Sequence, residues 1–250
     1  MTRRPRLLCF PHAGASGSVF AGWPAALGDH TEVVPVALPG RGAREARTRI
    51  SGLGPLLAHL MELTEPLRTG PYVLYGHSLG GLIAHALAAE LRRLGLPRPG
   101  LVMVGAAVPP HLTAPLRGCA ELPDADLLDL LVAYGTMPER ALRWPQRVLP
   151  ALRDDLRLAE ALAAASVGAV VDAPLLAVAG SGDAVAPPAV MAEWARCAGS
   201  SFRLARVPGG HLFADRPPVL RLVRAALAAA GARPGRLSVR PAGAAVPTEA

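Results

Sequence analysis

The chain has 250 residues, of which 51% are hydrophobic, so it can bury a substantial core, and we expect a single domain. Arg, Pro, Gly or His interrupts every apolar stretch before it reaches the roughly 18 residues of a membrane span, which argues against an integral membrane protein. The apolar run Leu7 to Phe10 is shorter than the core of a signal peptide, about 7–15 residues, so we expect a cytoplasmic protein.

The net charge of +7 raises the question of nucleic-acid binding. Six of the arginines lie in the two end segments beside one acidic residue, Glu249, which leaves twenty basic and eighteen acidic residues in the body. Aromatic residues are only 4%, and no Arg-rich block with interleaved aromatics occurs, so we expect no nucleic-acid partner. Cys9, Cys119 and Cys197 are odd in number and widely spaced, which favours buried thiols over disulfides or a metal cluster, and we expect neither a metal nor a cofactor.

Short apolar runs alternate with longer helical patterns along most of the chain, which predicts an α/β fold with a mostly parallel sheet flanked by helices. Pro or Gly punctuates most of the junctions between them. In chain order the predicted elements are strands Leu7–Phe10 and Val33–Ala37, helix Pro55–Leu67, strand Tyr72–Tyr75, helix Leu82–Leu94, strands Leu101–Val104 and Leu175–Ala179, helix Pro188–Cys197, strand Phe202–Val207 and helix Pro217–Ala230.

The alternation stops between Val108 and about Ala165. Three segments there read as amphipathic helices with no strand between them: Leu122–Tyr134, Pro138–Trp144 and Val148–Ala164. We interpret them as an inserted helical lid, at about residues 112–165; helices that merely pack on the domain are the alternative. Residues 232–250 are rich in Pro, Gly, Ala and Arg without periodicity, which predicts a disordered tail after a domain of residues 1–231.

The segment Gly76-His77-Ser78-Leu79-Gly80 matches the pattern G-x-S-x-G between a predicted strand and a predicted helix. A sharp turn in this context projects the serine hydroxyl above the sheet, while the helix N-terminus offers N–H groups to a developing oxyanion. We therefore predict an α/β-hydrolase fold with Ser78 as the nucleophile. His77 should point away from the Ser78 hydroxyl, so we interpret it as structural.

A serine nucleophile needs a general base and a carboxylate that orients the base. In this fold the acid and then the histidine follow the serine along the chain, which favours His211, in a glycine-rich loop after the last strand. Asp183 follows the strand Leu175–Ala179 at the edge where α/β sheets place their sites, and is the expected acid. Its competitors are weaker, because Asp215 is only four residues beyond the histidine and Asp172 precedes its strand.

An oxyanion hole needs two N–H donors, and the first is expected from Leu79. The second should come from the loop after an early strand, and the small-residue loop Pro11–Gly17 suits that role. We predict the backbone N–H of Ala13, although adjacent residues of the loop could substitute.

Together these segments resemble the type II thioesterases that accompany modular polyketide synthases and nonribosomal peptide synthetases. The triad of that family falls on Ser78, Asp183 and His211, and its lid is similar to residues 122–162. The chain departs from the family pattern at Ala15, where a glycine is usual, and at Leu79, where methionine is common. The matching segments are Phe10-Pro11-His12-Ala13-Gly14, Leu38-Pro39-Gly40-Arg41-Gly42, the turn around Ser78, Gly182-Asp183 and Gly209-Gly210-His211-Leu212-Phe213.

The resemblance implies hydrolysis of acyl thioesters on the phosphopantetheine arm of acyl or peptidyl carrier proteins, which removes aberrant or stalled groups. It implies carrier proteins as partners, and we expect a monomer that acts without a membrane. Three alternatives stay open: an esterase or lipase acting on oxygen esters, an acyltransferase or cyclase, and a non-catalytic module that binds carrier proteins.

Overall fold

A six-stranded parallel sheet organises the computed structural model, which describes residues 4–36, 38–39, 50, 52–137 and 143–231. All six predicted strands are present, and their ends differ from the predicted ones by at most two residues. Ala37, the predicted end of the second strand, lies outside the described residues. The strands are β1 Arg6–Phe10, β2 Glu32–Pro35, β3 Tyr72–His77, β4 Val102–Gly105, β5 Leu175–Gly180 and β6 Phe202–Val207.

The strand order is β2-β1-β3-β4-β5-β6, and every neighbouring pair is parallel. The chain leaves β1 toward one edge of the sheet and leaves β3 toward the other, so the order reverses between these two strands. Ligands of open α/β sheets bind beyond the carboxyl ends of the strands at such a switch point. The loop after β1 and the turn after β3 therefore lie at the expected position of a site.

Helices cover both faces of the sheet, and the four helices predicted outside the lid are present. The helix expected at Leu82 begins three residues earlier, directly after Ser78, and two of the others end in 3-10 turns, Glu65–Arg68 and Glu193–Cys197. A short helix at Trp23–Leu27 was not predicted, because five residues are too few for a periodic pattern. No helix among the described residues is both long and apolar enough to cross a bilayer. These helices are α1 Trp23–Leu27, α2 Leu53–Thr64, α3 Leu79–Arg93, α6 Pro188–Ala192 and α7 Pro217–Gly231.

The four central strands, β1, β3, β4 and β5, each contribute to two apolar layers. Leu8 and Leu74 point into the layer beneath α2 and α3, whereas Leu7 and Val73 point into the layer beneath α1 and α7. Burial on both faces explains why the strands read as continuous apolar runs. The three cysteines are free and buried, as predicted.

The described part of the segment that we interpret as a lid contains two α-helices, α4 Asp124–Ala133 and α5 Pro145–Ala165, and no strand. Helix α5 begins three residues before the predicted Val148 and packs against α3 and α2. Most of the predicted helix Pro138–Trp144 lies outside the described residues, and Trp144 itself is not helical. Buried leucines of α4 and of the first part of α5 form a third apolar cluster, whereas Leu158 and Leu162 of α5 belong to the layer beneath α2 and α3. The predicted tail, residues 232–250, also lies outside the described residues.

The first turn of α3 presses against the end of β1 at Gly80. A Cβ atom added at Gly80 would lie 2.0 Å from the carbonyl oxygen of Phe10, a backbone atom that cannot rotate away. This approach brings the loop after β1 against the turn that carries Ser78. A glycine is required at position 80 because of this close approach and not because of its backbone angles.

We expect Gly80→Ala to lower the free energy of unfolding by about 3 kcal/mol or more, because the methyl group must displace backbone. Urea unfolding followed by circular dichroism measures this loss. The matched control is Gly54→Ala in α2, where a Cβ meets nothing within 4 Å. That variant should be stabilised by up to about 1 kcal/mol because alanine favours the helix. Equal stabilities for the two variants would contradict the proposed contact.

Candidate active site

Ser78 occupies the sharp turn between β3 and α3. Its backbone angles are φ 54° and ψ −119°, one of two positive φ values found among the described non-glycine residues. Such a conformation costs on the order of 1–3 kcal/mol and persists only when its surroundings impose it. Here the Ser78 N–H donates to the carbonyl of Gly105 at 2.7 Å, and the Ser78 carbonyl accepts from Gly81 in the first turn of α3. The serine is thus held at the N-terminus of a 15-residue helix.

The structure brings the Ser78, His211 and Asp183 side chains together in one hydrogen-bonded row. The Nε2 atom of His211 lies 3.0 Å from Ser78 Oγ. The Nδ1 atom lies 3.0 and 3.1 Å from the two carboxylate oxygens of Asp183. Because the carboxylate only accepts, Nδ1 carries the proton and Nε2 is free to accept the serine proton.

The Asp183 carboxylate is buried, with 3% of the residue exposed. Burial alone would raise its pKa, but the hydrogen bond from His211 and those from the N–H groups of Ala186 and Val185 lower it below its usual value. The two N–H groups lie 3.1 and 2.9 Å from Asp183 Oδ1. The carboxylate is therefore ionised at neutral pH and correctly placed to orient an imidazole.

The loops that carry the acid and the histidine are packed directly on each other. A Cβ atom at Gly180, the last residue of β5, would lie 2.6 Å from the carbonyl oxygen of Gly210. The backbone of Gly182 also donates to Gly209 at 2.8 Å. Asp183 and His211 follow these contacts by one residue each, so their separation is set by backbone packing rather than by flexible side chains.

His77 is fully buried behind this row and does not hydrogen-bond to Ser78. Its Nε2 lies 2.7 Å from the backbone oxygen of His211, and its Nδ1 lies 3.3 Å from the hydroxyl of Tyr75. Since a carbonyl only accepts, Nε2 carries the proton and Nδ1 accepts from the tyrosine. Burial, together with the nearby His211 and His12, lowers the pKa of His77 to about 3. A neutral imidazole thus supports the backbone of His211.

The loop after β1 offers one free N–H group at the position predicted for an oxyanion donor. The N–H of Gly14 donates to Asp155, and that of Ala15 donates to the carbonyl of His12. Among the described residues, no acceptor satisfies the N–H of Ala13 or that of Leu79. An oxyanion hole requires two such unpaired donors.

The other candidate carboxylates lie apart from the row. Asp215 is exposed. Asp172 precedes β5 and so lies at the amino ends of the strands, where it pairs with Arg92 at 2.8 Å. His85 is buried inside α3, where its Nε2 lies 3.1 Å from the carbonyl of Ala169. His111 lies 3.7 Å from Glu193.

Asp155, whose carboxylate reaches the loop after β1, was not singled out by the sequence. Its position on α5 is the sequence signal that could have identified Asp155. It lies three residues after Leu152 and one before Leu156, on the side of the helix that is otherwise apolar and buried.

Comparison with known proteins identifies similar chains. A family model described as "Thioesterase domain" matches residues 5–227. Thioesterase PikA5 of Streptomyces venezuelae is 34% identical over 213 residues, which cover 83% of this chain and 75% of that protein. The solved structure of RedJ, a thioesterase from the prodiginine biosynthetic pathway in Streptomyces coelicolor, is 34% identical with a TM-score of 0.81 and covers 91% of this chain and 90% of RedJ. The type II thioesterase BorB from the borrelidin biosynthetic cluster is 26% identical with a TM-score of 0.77, covering 91% and 94% of the two chains.

The lowered pKa of His77 makes stability depend on pH. In the unfolded chain a histidine binds a proton near pH 6.5, whereas the folded protein resists protonation until about pH 3. Stability is therefore fully present above pH 6.5 and is lost as the pH falls toward 3, by up to about 1.4 kcal/mol per pH unit.

We expect His77→Gln, which keeps a donor for the His211 carbonyl but does not titrate, to lose less stability than the wild type between pH 7 and pH 5. Urea unfolding at the two pH values measures the difference. His30→Gln replaces an exposed histidine and is the control. Identical pH dependence of the wild type and His77→Gln would contradict the buried neutral imidazole.

Proposed function

The chain belongs to the thioesterase domain family of hydrolases, and from this premise we propose that it cleaves acyl thioesters from the phosphopantetheine arm of acyl or peptidyl carrier proteins. The role would be editing in polyketide or nonribosomal peptide biosynthesis. The named relatives support this proposal, since RedJ and BorB come from biosynthetic pathways and BorB is described as a type II thioesterase. That the protein acts as a monomer in the cytoplasm stays a prediction.

The observation that carries the proposal is the row of Ser78, His211 and Asp183. Its two hydrogen bonds, each 3.0 Å long, join a nucleophile to a base and the base to an ionised acid. A serine hydroxyl is a weak nucleophile on its own and becomes effective when an imidazole takes its proton. We assign Ser78 as nucleophile, His211 as general base and Asp183 as the orienting carboxylate.

In the acylation step, His211 Nε2 takes the hydroxyl proton as Ser78 Oγ bonds to the thioester carbonyl carbon. The carbonyl oxygen becomes an oxyanion, which the N–H groups of Ala13 and Leu79 stabilise. The carbon–sulfur bond then breaks, and the imidazolium returns its proton to the departing phosphopantetheine sulfur. Asp183 stabilises the imidazolium without taking its proton.

In the second step a water molecule takes the place of the released thiol. His211 removes a proton from the water as its oxygen attacks the acyl-serine carbonyl, and the same two N–H groups bind the second oxyanion. Collapse of this intermediate breaks the bond to Ser78 Oγ, which regains its proton from His211. The products are a free carboxylic acid and a regenerated enzyme.

We expect Ser78→Ala to lower the rate of hydrolysis of acyl-carrier thioesters by at least about a thousandfold, because removal of a triad serine leaves only binding and oxyanion stabilisation. Mass spectrometry of the carrier protein and of the released acid measures the loss and detects any ester, amide or ring formed instead. Ser201→Ala, at an exposed position, is the control. Near-normal hydrolysis by Ser78→Ala would refute the proposal, and preferred turnover of simple oxygen esters by the wild type would redirect it to an esterase.

We expect Asp183→Asn to lower kcat by about 10⁴, because an amide in place of the carboxylate favours the wrong imidazole tautomer without changing the packing. The control is Asp215→Asn, which alters the exposed carboxylate nearest to His211 in sequence. Steady-state kinetics on one acyl-carrier substrate compares the two. If Asp215→Asn gave the larger loss, the assignment of the acid would be wrong.

A further inference from the structure

A buried carboxylate interrupts the apolar face of lid helix α5. Asp155 is only 1% exposed, and its neighbours Leu152 and Leu156 on the same face are also buried. Moving a carboxylate out of water costs several kcal/mol unless charge or hydrogen bonds compensate it. An apolar residue would suit a helix that needed only to pack, so the groups that the carboxylate binds point to a further role for Asp155.

One partner of the Asp155 carboxylate is the loop after β1. The N–H of Gly14 donates to Asp155 Oδ2 at 2.8 Å, a contact that joins residues 141 positions apart. Gly14 is the third residue of a turn closed by the hydrogen bond from the Ala15 N–H to the His12 carbonyl, and its φ of 71° is typical of that position in a type II turn. The contact therefore fixes the centre of the turn.

The peptide bond between Ala13 and Gly14 is held on both sides. Its carbonyl oxygen lies 3.0 Å from Nδ1 of His12, which must donate to it, and its N–H is bound by Asp155. The peptide bond before it carries the Ala13 N–H, which has no acceptor among the described residues. Because the Ala13–Gly14 peptide is fixed, rotation about the Ala13 backbone is restricted. This restriction sets the direction in which the Ala13 N–H points.

The lid also packs on this turn. A Cβ atom at Gly14 would lie 3.3 Å from Cδ1 of Leu152, and the Ala13 side chain contacts both the core beneath α3 and the apolar cluster of the lid. The ends of the loop are held by the first turn of α3, at Phe10 against Gly80, and by β2, at Gly17 against Pro35. Its centre is in addition bound by α5.

We propose that Asp155 is a positioning residue that holds the Ala13 N–H in the oxyanion hole, so that the hole is complete only while the lid helix is docked. This inference rests on the proposed function, since it assigns a role within the same site. The carboxylate touches neither the substrate nor the reacting atoms; it acts through the Ala13–Gly14 peptide.

The test compares Asp155→Ala and Asp155→Asn with the control Asp154→Asn, the adjacent carboxylate, which lies 3.4 Å from Arg157 on the lid surface. Loss of one oxyanion donor lowers kcat by about 10²–10³, and we expect Asp155→Ala, which frees the donor rather than deleting it, to lower kcat by about 10- to 100-fold. The amide of Asp155→Asn still accepts but without charge, and charge-assisted hydrogen bonds are about twice as strong, so its loss should be about two- to tenfold. KM should change little in either variant.

A second measurement separates positioning from general damage to the fold. A trifluoromethyl ketone analogue of the acyl chain adds to Ser78 Oγ, whose proton passes to His211, and forms a tetrahedral oxyanion that occupies the hole. In each variant we expect the affinity for the analogue to fall by the same factor as kcat. Both quantities are expressed per active site, and the active sites are counted by titration with a fluorophosphonate. A reduced active fraction with unchanged kcat and analogue affinity per site would overturn the proposal.

If Asp155→Ala does not fold, Asp155→Asn decides alone, and wild-type kcat and analogue affinity in that variant overturn the inference. Hydrolysis by the wild type and its loss in Ser78→Ala, measured alongside, test the proposed function separately. Retained activity in Ser78→Ala refutes that function, whereas normal Asp155 variants beside an inactive Ser78→Ala refute only the role of Asp155.

Discussion

The hydrogen bond between His211 and Asp183 is the interaction on which the rest of the site depends. A carboxylate buried in the loop after β5 is tolerable only because an imidazole and two backbone N–H groups compensate it. Those donors come from the loops after β5 and β6, so the bond requires the carboxyl ends of both strands to be in register and in contact. The glycine at position 180 permits that contact, and the neutral imidazole of His77 supports the backbone of His211 from behind. The base is thereby fixed before any substrate arrives.

The candidate site has two halves with different mechanical support. Ser78 and Asp183 directly follow the central strands β3 and β5, and His211 lies in the loop after the edge strand β6. The strained backbone of Ser78 belongs to this half, since it is imposed by the neighbouring strand and by the first turn of α3. The second half, the turn around Ala13, packs on the core beneath α3 and is also bound at its centre by lid helix α5. The acid–base geometry is thus set at the carboxyl ends of the strands, whereas the geometry of the proposed oxyanion hole would also involve helix α5.

Much of the site was predictable because its residues stand beside local signals. Ser78 lies between an apolar strand and a helical run, and glycines mark the loops that carry Asp183 and His211. Each signal depends on a few neighbouring residues, and the order of the parallel sheet then brings the three to one edge. The structure places them within hydrogen-bonding distance; their catalytic roles stay proposals. Asp155 escaped prediction because nothing near it in sequence specifies a partner 141 positions away. The short helix α1 escaped because five residues carry no measurable period.

The sequence by itself determined the α/β class, the six strands and the turn that carries Ser78, because hydrophobic period, glycine placement and strand-to-helix context act over a few residues. Only the tertiary structure decided that the N–H groups of Gly14 and Ala15 are bound while that of Ala13 has no acceptor among the described residues, since the positions of the acceptors depend on packing. It also decided that His77 is a neutral support for His211 and that a lid carboxylate holds the loop centre. These features arise from contacts between distant segments, and burial, not composition, gives such contacts their energy.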